Sequence, residues 1–149
     1  MKILMLSIDA KVLEAGSRVQ DQILEYAKLV DSIDIVLNTH TWREGIMEPR
    51  DIAPNCRVCP TNLRFRFLYP IKLISMVRQI LGRAGYKKGD SGWLLTAQEA
   101  MTAVNGAVFL KFLFKMRLQV QVHEDFLSPH FGKGFRRFLQ RLGYKMALK

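Results

Sequence analysis

The run Lys2-Ile-Leu-Met-Leu-Ser-Ile8 decides the fold, because its apolar residues are continuous rather than alternating. A continuous apolar strand is typical of a parallel sheet whose two faces are both covered. Gly16 and Ser17 follow in a loop, and Ser17 is a suitable N-cap for a helix that reaches about residue 30. Residues 33–37 predict a second strand. Strand, helix and strand in about forty residues predict a βαβ unit with a right-handed crossover.

The same alternation recurs later in the chain. Residues 57–59 predict a weaker third strand, and residues 93–97 and 118–122 predict two more, with a helix between them at about 99–116. Apolar residues at helical spacing predict a final helix over 131–149. We therefore predict an α/β fold in which a Rossmann-like, doubly wound parallel sheet forms the middle of a three-layer α/β/α arrangement.

Length and composition place the chain among single globular domains. It has 149 residues, of which 49% are hydrophobic and 24% are charged. No apolar run approaches the roughly 20 residues that cross a bilayer, and Asp9 stands where a signal peptide would carry a small-residue cleavage site. We expect one domain over residues 1–149, located in the cytoplasm.

The positive charge of the chain is concentrated in two segments. The net charge is +10, and residues 63–90 and 130–149 each contribute +6, whereas the remaining residues sum to −2. Two basic segments on a nearly neutral body indicate local anion-binding surfaces rather than a general solubility device.

The first basic segment mixes aromatic, aliphatic and basic residues as interfacial helices do. Pro70 is suited to open a helix there. Its predicted apolar stripe consists of Ile71, Ile74, Val77, Ile80 and Leu81. The residues expected to face a membrane are Arg64, Arg66, Lys72, Arg78 and Arg83. A covering helix with solvated basic edges is equally compatible with the pattern. No RNP or helix-turn-helix pattern accompanies it, so we expect no nucleic-acid partner.

Two cysteines, Cys56 and Cys59, form a CxxC motif of the kind that serves zinc binding or redox chemistry. Structural zinc takes four ligands, and no second Cys or His pair follows at finger spacing. A thioredoxin-like site places the motif at a helix N-terminus, whereas Pro60 directly after Cys59 opposes helical geometry. We expect buried or half-buried thiols on a strand, with no metal and no cofactor.

Polar residues lie where three of the predicted strands end. They are Gly16, Ser17 and Arg18 after the first strand, Gln98 and Glu99 after the strand from Trp93, and His123, Glu124 and Asp125 after the strand from Leu118. Because the carboxyl ends of parallel strands meet at one edge of a sheet, these groups would form one polar cleft. An ordinary helix cap, a structural histidine and capping carboxylates are the structural interpretations of the same residues.

The strand Leu118-Gln-Val-Gln-Val-His alternates strictly between apolar and polar residues. Successive side chains of a strand point to opposite faces, so Gln119, Gln121 and His123 share one face. One face of this strand is therefore expected to be polar.

The order of these motifs resembles the N-terminal domain of family 4 glycosyltransferases of the GT-B fold. The motifs concerned are Met1-Lys-Ile-Leu-Met-Leu-Ser, Gly16-Ser-Arg18, Leu94-Leu-Thr-Ala-Gln98 and Gln119-Val-Gln-Val-His-Glu-Asp-Phe-Leu-Ser-Pro129. Together they cover nearly the whole chain. In such enzymes two Rossmann-like domains face each other, of which the first holds mainly the acceptor and the second holds the nucleotide sugar.

The resemblance implies roles for individual residues. Gly16, Ser17 and Arg18 would lie in the loop that faces the acceptor and the donor phosphates. Gln98 would line the cleft with Glu99 beside it, and His123 would approach the transferred sugar with Asp125 nearby. Transfer with retention of anomeric configuration, without a metal, is also implied.

The chain departs from the family pattern in two places. Glu99-Ala100 stands where the family often has Asp-Pro, and the chain stops at Lys149, before a further strand and the whole donor domain. A transition state that is held between two walls is not stabilised by one of them. We therefore expect a sheet that is incomplete at its C-terminal end and a chain that lacks transferase activity alone.

The expected function is the acceptor-side half of a glycosyltransferase, peripheral on the inner face of the membrane, with a saccharide or lipid-linked acceptor. Its donor-binding domain would lie on another chain or be lost. The alternative from another class is a non-catalytic α/β binding module that docks on an anionic membrane or on a partner protein.

Overall fold

The fold is seen in a computed structural model, which describes residues 1–98 and 101–121 apart from the side chains of residues 101 and 102. Its strands are β1 (Lys2–Ser7), β2 (Ser32–Leu37), β3 (Arg50–Ala53), β4 (Cys56–Pro60), β5 (Trp93–Gln98) and β6 (Arg117–Gln121). Its helices are α1 (Arg18–Ala27), α2 (Thr41–Glu44), α3 (Tyr69–Arg83) and α4 (Met101–Phe114). Short 3-10 turns span Ala10–Leu13 and Arg66–Leu68.

The strands form one sheet in the order β3-β4-β2-β1-β5-β6, and every pair except β3–β4 is parallel. β1 lies near the middle, with Lys2 paired to Ser32 of β2 on one side and to Trp93 of β5 on the other. The chain first winds outward from β1 through β2 to β4, and then crosses to the opposite side for β5 and β6. The predicted α/β, Rossmann-like fold is confirmed.

Helices cover both faces of this sheet, because its central strands are apolar on both sides. Ile3 and Met5 of β1 pack with Ile23 and Ala27 of α1. Leu4 and Leu6 of the same strand belong to the core on the opposite face, which includes buried residues of α3 and α4. The three layers follow from this alternation of two buried faces.

The buried face of α3 differs from the predicted stripe. Tyr69, Leu73 and Val77 face the core, whereas Ile71 is 69% exposed. Residues four apart share a helix face, and Ile71 stands two residues from both Tyr69 and Leu73, on the other side. Since the helix enters through the 3-10 turn at Arg66–Leu68, Tyr69 becomes its first buried residue. The prediction for Ile71 was wrong.

The sequence did not predict β3 or α2. β3 pairs antiparallel with β4 and begins with the charged pair Arg50 and Asp51, both exposed. A short charged strand of this kind is typical of a protected sheet edge and lacks the apolar signal on which strand prediction depends. The predicted helix over 131–149 lies outside the described residues. Within the described ranges, no helix is both long enough and apolar enough to cross a membrane.

Candidate functional site

An open cleft of about 530 Å³ lies at the carboxyl ends of β1, β5 and β6. Its lining residues are Ser7, Ile8, Asp9, Arg18, Val19, Gln22, Gln98 and Gln121. The chain reverses its winding direction between β1 and β5. The connections leaving these two strands turn to opposite sides of the sheet, and the crevice between them is where open α/β proteins bind ligands.

The position of Arg18 is set by the loop between β1 and α1. Ser17 caps α1, since its hydroxyl oxygen accepts a hydrogen bond from the Gln20 N–H at 3.1 Å. The Ser17 hydroxyl also donates to the Lys11 carbonyl. Gly16 has a φ of 76°, a left-handed conformation that favours glycine. The predicted N-cap is confirmed, and it places the Arg18 guanidinium at the positive end of the helix dipole.

Polar side chains of two neighbouring strands line the opposite wall. Gln98 of β5 is paired with Gln121 of β6, and Thr96 is paired with Gln119. Ser7, Thr96 and Gln98 lie on the face of the sheet that α1 covers, because Met5, in the α1-side core, pairs with Thr96. The Thr96 hydroxyl is buried and makes no hydrogen bond within the described residues. Gln119 and Gln121 of β6 therefore share one face as predicted, and His123, the third residue of that face, lies outside the described residues.

Asp9 and Ser7 complete the wall nearest β1. The Ser7 hydroxyl oxygen accepts from the Asp9 N–H at 3.2 Å, and the Asp9 carboxylate accepts from the Lys11 N–H at 3.0 Å. The second contact caps the 3-10 turn at Ala10–Leu13. The cleft thus offers a guanidinium, a carboxylate, a hydroxyl and amide groups. Such a set both donates and accepts hydrogen bonds, as a ligand with many hydroxyl groups requires.

Among solved structures, the chain is similar to the UDP-GlcNAc 2-epimerase from Methanocaldococcus jannaschii. The sequences are 10% identical and the TM-score is 0.57. The match covers 99% of this chain and 38% of the epimerase chain, so the chain spans well under half the length of that enzyme. The likeness supports the Rossmann-like fold. No family model matches the chain, and no curated protein matches it.

The structure brings together two of the predicted site residues. Arg18 and Gln98 line the same cleft from different elements. Gly16 and Ser17 form the loop before Arg18. The left-handed backbone of Gly16 and the helix cap made by Ser17 account for these two residue types. Glu99, His123 and Asp125 lie outside the described residues, so their roles stay predictions.

The sequence also contained signals for lining residues that were not predicted. Ser7 and Asp9 follow directly where the first apolar run ends, which is where a ligand edge begins in a parallel sheet. Gln22 stands four residues after Arg18 and therefore shares its helix face. Gln121 belongs to the polar face of the last predicted strand, and its position beside Gln98 required the strand register.

The predicted membrane-facing residues form two groups, one near the start of α3 and one farther along it. The first group is Arg64, Arg66 and Lys72, which are all exposed, and the second is Arg78 and Arg83. Arg83 is exposed at the other end, where its charge counteracts the effect of burial on the pKa of Asp34 and of Cys59. We call the first group, together with Phe65, Phe67, Leu68 and Ile71, the basic–aromatic surface.

The two cysteines are free, and they lie on opposite faces of β4. Cys56 belongs to the core on the α1 side and Cys59 to the core on the α3 side. Burial raises the pKa of the Cys56 thiol to about 11, with a smaller effect from the Asp34 and Asp51 carboxylates. The expected buried thiols are therefore found. Across residues 1–98 and 101–121, no three His, Cys, Asp or Glu side chains converge as ligands of a metal would.

Proposed function

We propose that the chain forms the acceptor-side half of a glycosyltransferase, which moves a sugar from a nucleotide-sugar donor to a saccharide or lipid-linked acceptor. The observation that carries this proposal is the cleft at the switch point of the sheet, lined by both Arg18 and Gln98. The resemblance to family 4 glycosyltransferases implies that Arg18 lies in the loop facing the acceptor and the donor phosphates and that Gln98 lines the same cleft.

The similarity to a UDP-GlcNAc 2-epimerase adds support at the level of the fold. By its name, that neighbour acts on UDP-GlcNAc, which is a nucleotide sugar. The shared fold is compatible with sugar-nucleotide chemistry in this chain. The specific argument for that chemistry comes from the side chains of the cleft.

Each group in the cleft has a distinct task in the proposal. The Arg18 guanidinium, at the N-terminus of α1, attracts the donor phosphates or an acidic acceptor group. Gln98 and Gln121 present amide groups that donate to and accept from sugar hydroxyls. Asp9 accepts from further hydroxyls. These residues bind and orient the acceptor.

The proposed reacting groups belong to residues outside the described part of the chain. His123 is proposed to approach the transferred sugar, with Asp125 nearby and Glu99 beside the acceptor. A donor-binding domain, on another chain or in a longer form of this one, supplies the facing wall. The proposal includes no metal and no further cofactor.

A binding experiment tests the cleft. We expect the side-chain amide signals of Gln98 and Gln121 to shift in NMR spectra when UDP-GlcNAc or a panel of short saccharides is added to the chain. Arg18→Ala should weaken binding of the nucleotide sugar about tenfold or more, since a hydrogen bond to a charged group contributes roughly 1.5–3 kcal/mol.

Lys28→Ala serves as the control for lost positive charge, because Lys28 pairs with Glu25 at the far end of α1. It should leave the affinity unchanged. Equal losses in both variants, or shifts that spare Gln98 and Gln121, would contradict the assignment of the cleft.

The basic–aromatic surface favours a second candidate function, a non-catalytic module that docks on an anionic membrane or a partner protein. It predicts that docking occurs while no nucleotide sugar or saccharide perturbs the cleft. The same NMR titration therefore distinguishes the two functions.

A further inference from the structure

The basic–aromatic surface exposes large apolar side chains to water. Phe67 is 75% exposed, and Phe65, Leu68 and Ile71 are exposed as well. The Phe65 and Phe67 rings stack with their centroids 5.6 Å apart, and Arg64 lies 5.5 Å from the centroid of the Phe65 ring. Four exposed apolar residues this close together form a contiguous patch of the kind that marks an interaction site.

The segment that carries this patch has only positive charges. Arg64, Arg66 and Lys72 are exposed, and residues 63–89 contain no Asp or Glu. None of the three cations forms an ion pair within the described part of the chain. The first turn of α3 also lacks the acidic residue that would complement its dipole. The partner that complements this surface carries negative charge.

The apolar exposure ends after the first turn of α3. Ser75, Arg78 and Gln79 are exposed farther along the helix, so its outer face is polar beyond Ile71. A partner helix or groove requires an apolar stripe that continues for several turns. A short apolar tip surrounded by cations suits instead the boundary between lipid headgroups and acyl chains.

We propose that the basic–aromatic surface docks on an anionic phospholipid membrane. The side chains of Phe65, Phe67, Leu68 and Ile71 enter the interface, and those of Arg64, Arg66 and Lys72 contact lipid phosphates. The apolar residues contribute hydrophobic attraction and the basic residues contribute electrostatic attraction. Substitutions can therefore test the two contributions separately.

The docking surface starts at the same edge of the sheet as the cleft. Leu63, just before it, donates its N–H to the Thr39 carbonyl at 2.9 Å and accepts from the Thr41 N–H at 3.0 Å, beyond the end of β2. β4, which leads into this segment, lies two strands from β1, or roughly 10 Å at the usual strand spacing. Docking therefore brings the cleft close to the membrane, which suits a lipid-linked acceptor. The choice of a lipid-linked acceptor rests on the proposed function. The docking itself is independent of that function.

Co-sedimentation with vesicles tests the proposal on the full chain. Binding to phosphatidylcholine vesicles should increase strongly when phosphatidylglycerol is included, and should decrease with added salt. Arg66→Gln should lower the partition coefficient about fivefold, the usual effect of one cation near an anionic surface. Phe67→Ser should lower it about tenfold through loss of apolar insertion.

Two matched substitutions on the α1 side of the sheet control for general effects. Lys28→Gln removes the same charge, and Leu29→Ser removes an apolar side chain that is 81% exposed. Neither should change vesicle binding. Residues 130–149 form a second basic segment, so net charge alone could draw the chain to anionic vesicles. Lys28→Gln measures this general effect, because it removes one charge away from the basic–aromatic surface.

Three outcomes would overturn the proposal. The first is that each surface variant binds vesicles as strongly as its control. Arg66→Gln would then match Lys28→Gln, and Phe67→Ser would match Leu29→Ser. The second is loss of self-association in Phe67→Ser without a change on vesicles, which would assign the surface to a second copy. The third is binding to an oligonucleotide that depends on Arg66 and Phe67 while vesicle binding does not.

Discussion

Cys56 and Cys59 show why a sequence motif does not by itself define a site. Three residues apart on an extended strand, they face opposite sides of the sheet and belong to different cores. The two sulfur atoms cannot share a ligand or form a disulfide without unfolding β4. The motif is explained by the burial of each thiol as a small apolar group.

The raised pKa of Cys56 predicts a pH dependence of stability. A thiol that ionises at about 11 in the folded chain and near 9.0 in the unfolded chain binds its proton more tightly when folded. Its contribution to the free energy of unfolding is therefore complete below about pH 9 and is lost as the pH rises toward 11. The loss should be on the order of 2 kcal/mol.

Denaturation in urea, under reducing conditions and over this pH range, measures the effect. Cys56→Ala should flatten the decline in stability. Cys59→Ala should flatten it less, because the positive charges of Arg57 and Arg83 oppose the effect of burial on the Cys59 pKa. A decline in Cys56→Ala that parallels the parent chain would show that another group is responsible.

At individual positions, the sequence predicted what depends on local chemistry. The N-cap at Ser17 follows from the preference of hydroxyl side chains for helix starts, and Arg18 and Gln98 follow from strand order. The end of the first apolar run marks Asp9 in the sequence, but the direction of its side chain depends on the 3-10 turn that it caps, and a four-residue turn leaves no periodic pattern.

Among the helices, α3 and α4 pack closely at Gly106. A Cβ atom at Gly106 would lie 2.8 Å from Leu73 Cδ2, within a buried contact. Gly82 in α3 has no heavy atom within 4 Å of the corresponding position. These two helical glycines therefore differ in packing, although substitution by alanine raises the intrinsic helix propensity of both.

We expect Gly82→Ala to raise the free energy of unfolding by up to about 1 kcal/mol, through helix propensity. Gly106→Ala should instead lower it by about 1 kcal/mol, because crowding of Leu73 outweighs the same gain. Urea denaturation of both variants provides the comparison. A stabilised Gly106→Ala variant would mean that Leu73 moves aside at little cost.

The helix and strand boundaries show the limit of periodicity. The predicted helix at 99–116 corresponds to α4 at Met101–Phe114, and the first two strands were placed within one residue or so. The error at Ile71 arose because the stripe was counted from Pro70, whereas the buried face starts at Tyr69. A shift of this size is invisible in a sequence when both helix faces carry apolar residues.

At the scale of the whole molecule, the cleft is an open one as residues 1–98 and 101–121 describe it. Its lining residues all come from the carboxyl edge of a single sheet and from α1. Strong stabilisation of a transition state needs groups that are fixed on several sides of the reacting atoms, with water excluded. In the proposed transferase, a donor-binding domain would supply such groups.

The proposed function therefore predicts that residues 1–149 alone bind a saccharide or nucleotide sugar without transferring the sugar. The measurement is the release of UDP from UDP-GlcNAc, with and without an acceptor panel. Addition of a donor-binding domain should restore transfer if it is the missing wall. Turnover by the purified chain alone would contradict this expectation.

The central place of β1 has a consequence for how the protein is made. Its partners on the β5 side are about ninety residues away along the chain, as the pair Lys2 and Trp93 illustrates. At ribosomal rates of about 5–20 residues per second, β1 waits roughly 5–20 s for that neighbour after it is synthesised. During this interval a largely apolar strand presents an open edge to other nascent chains. The yield of folded protein in a cell is therefore governed by the speed of translation and by chaperones as much as by the stability of the finished sheet.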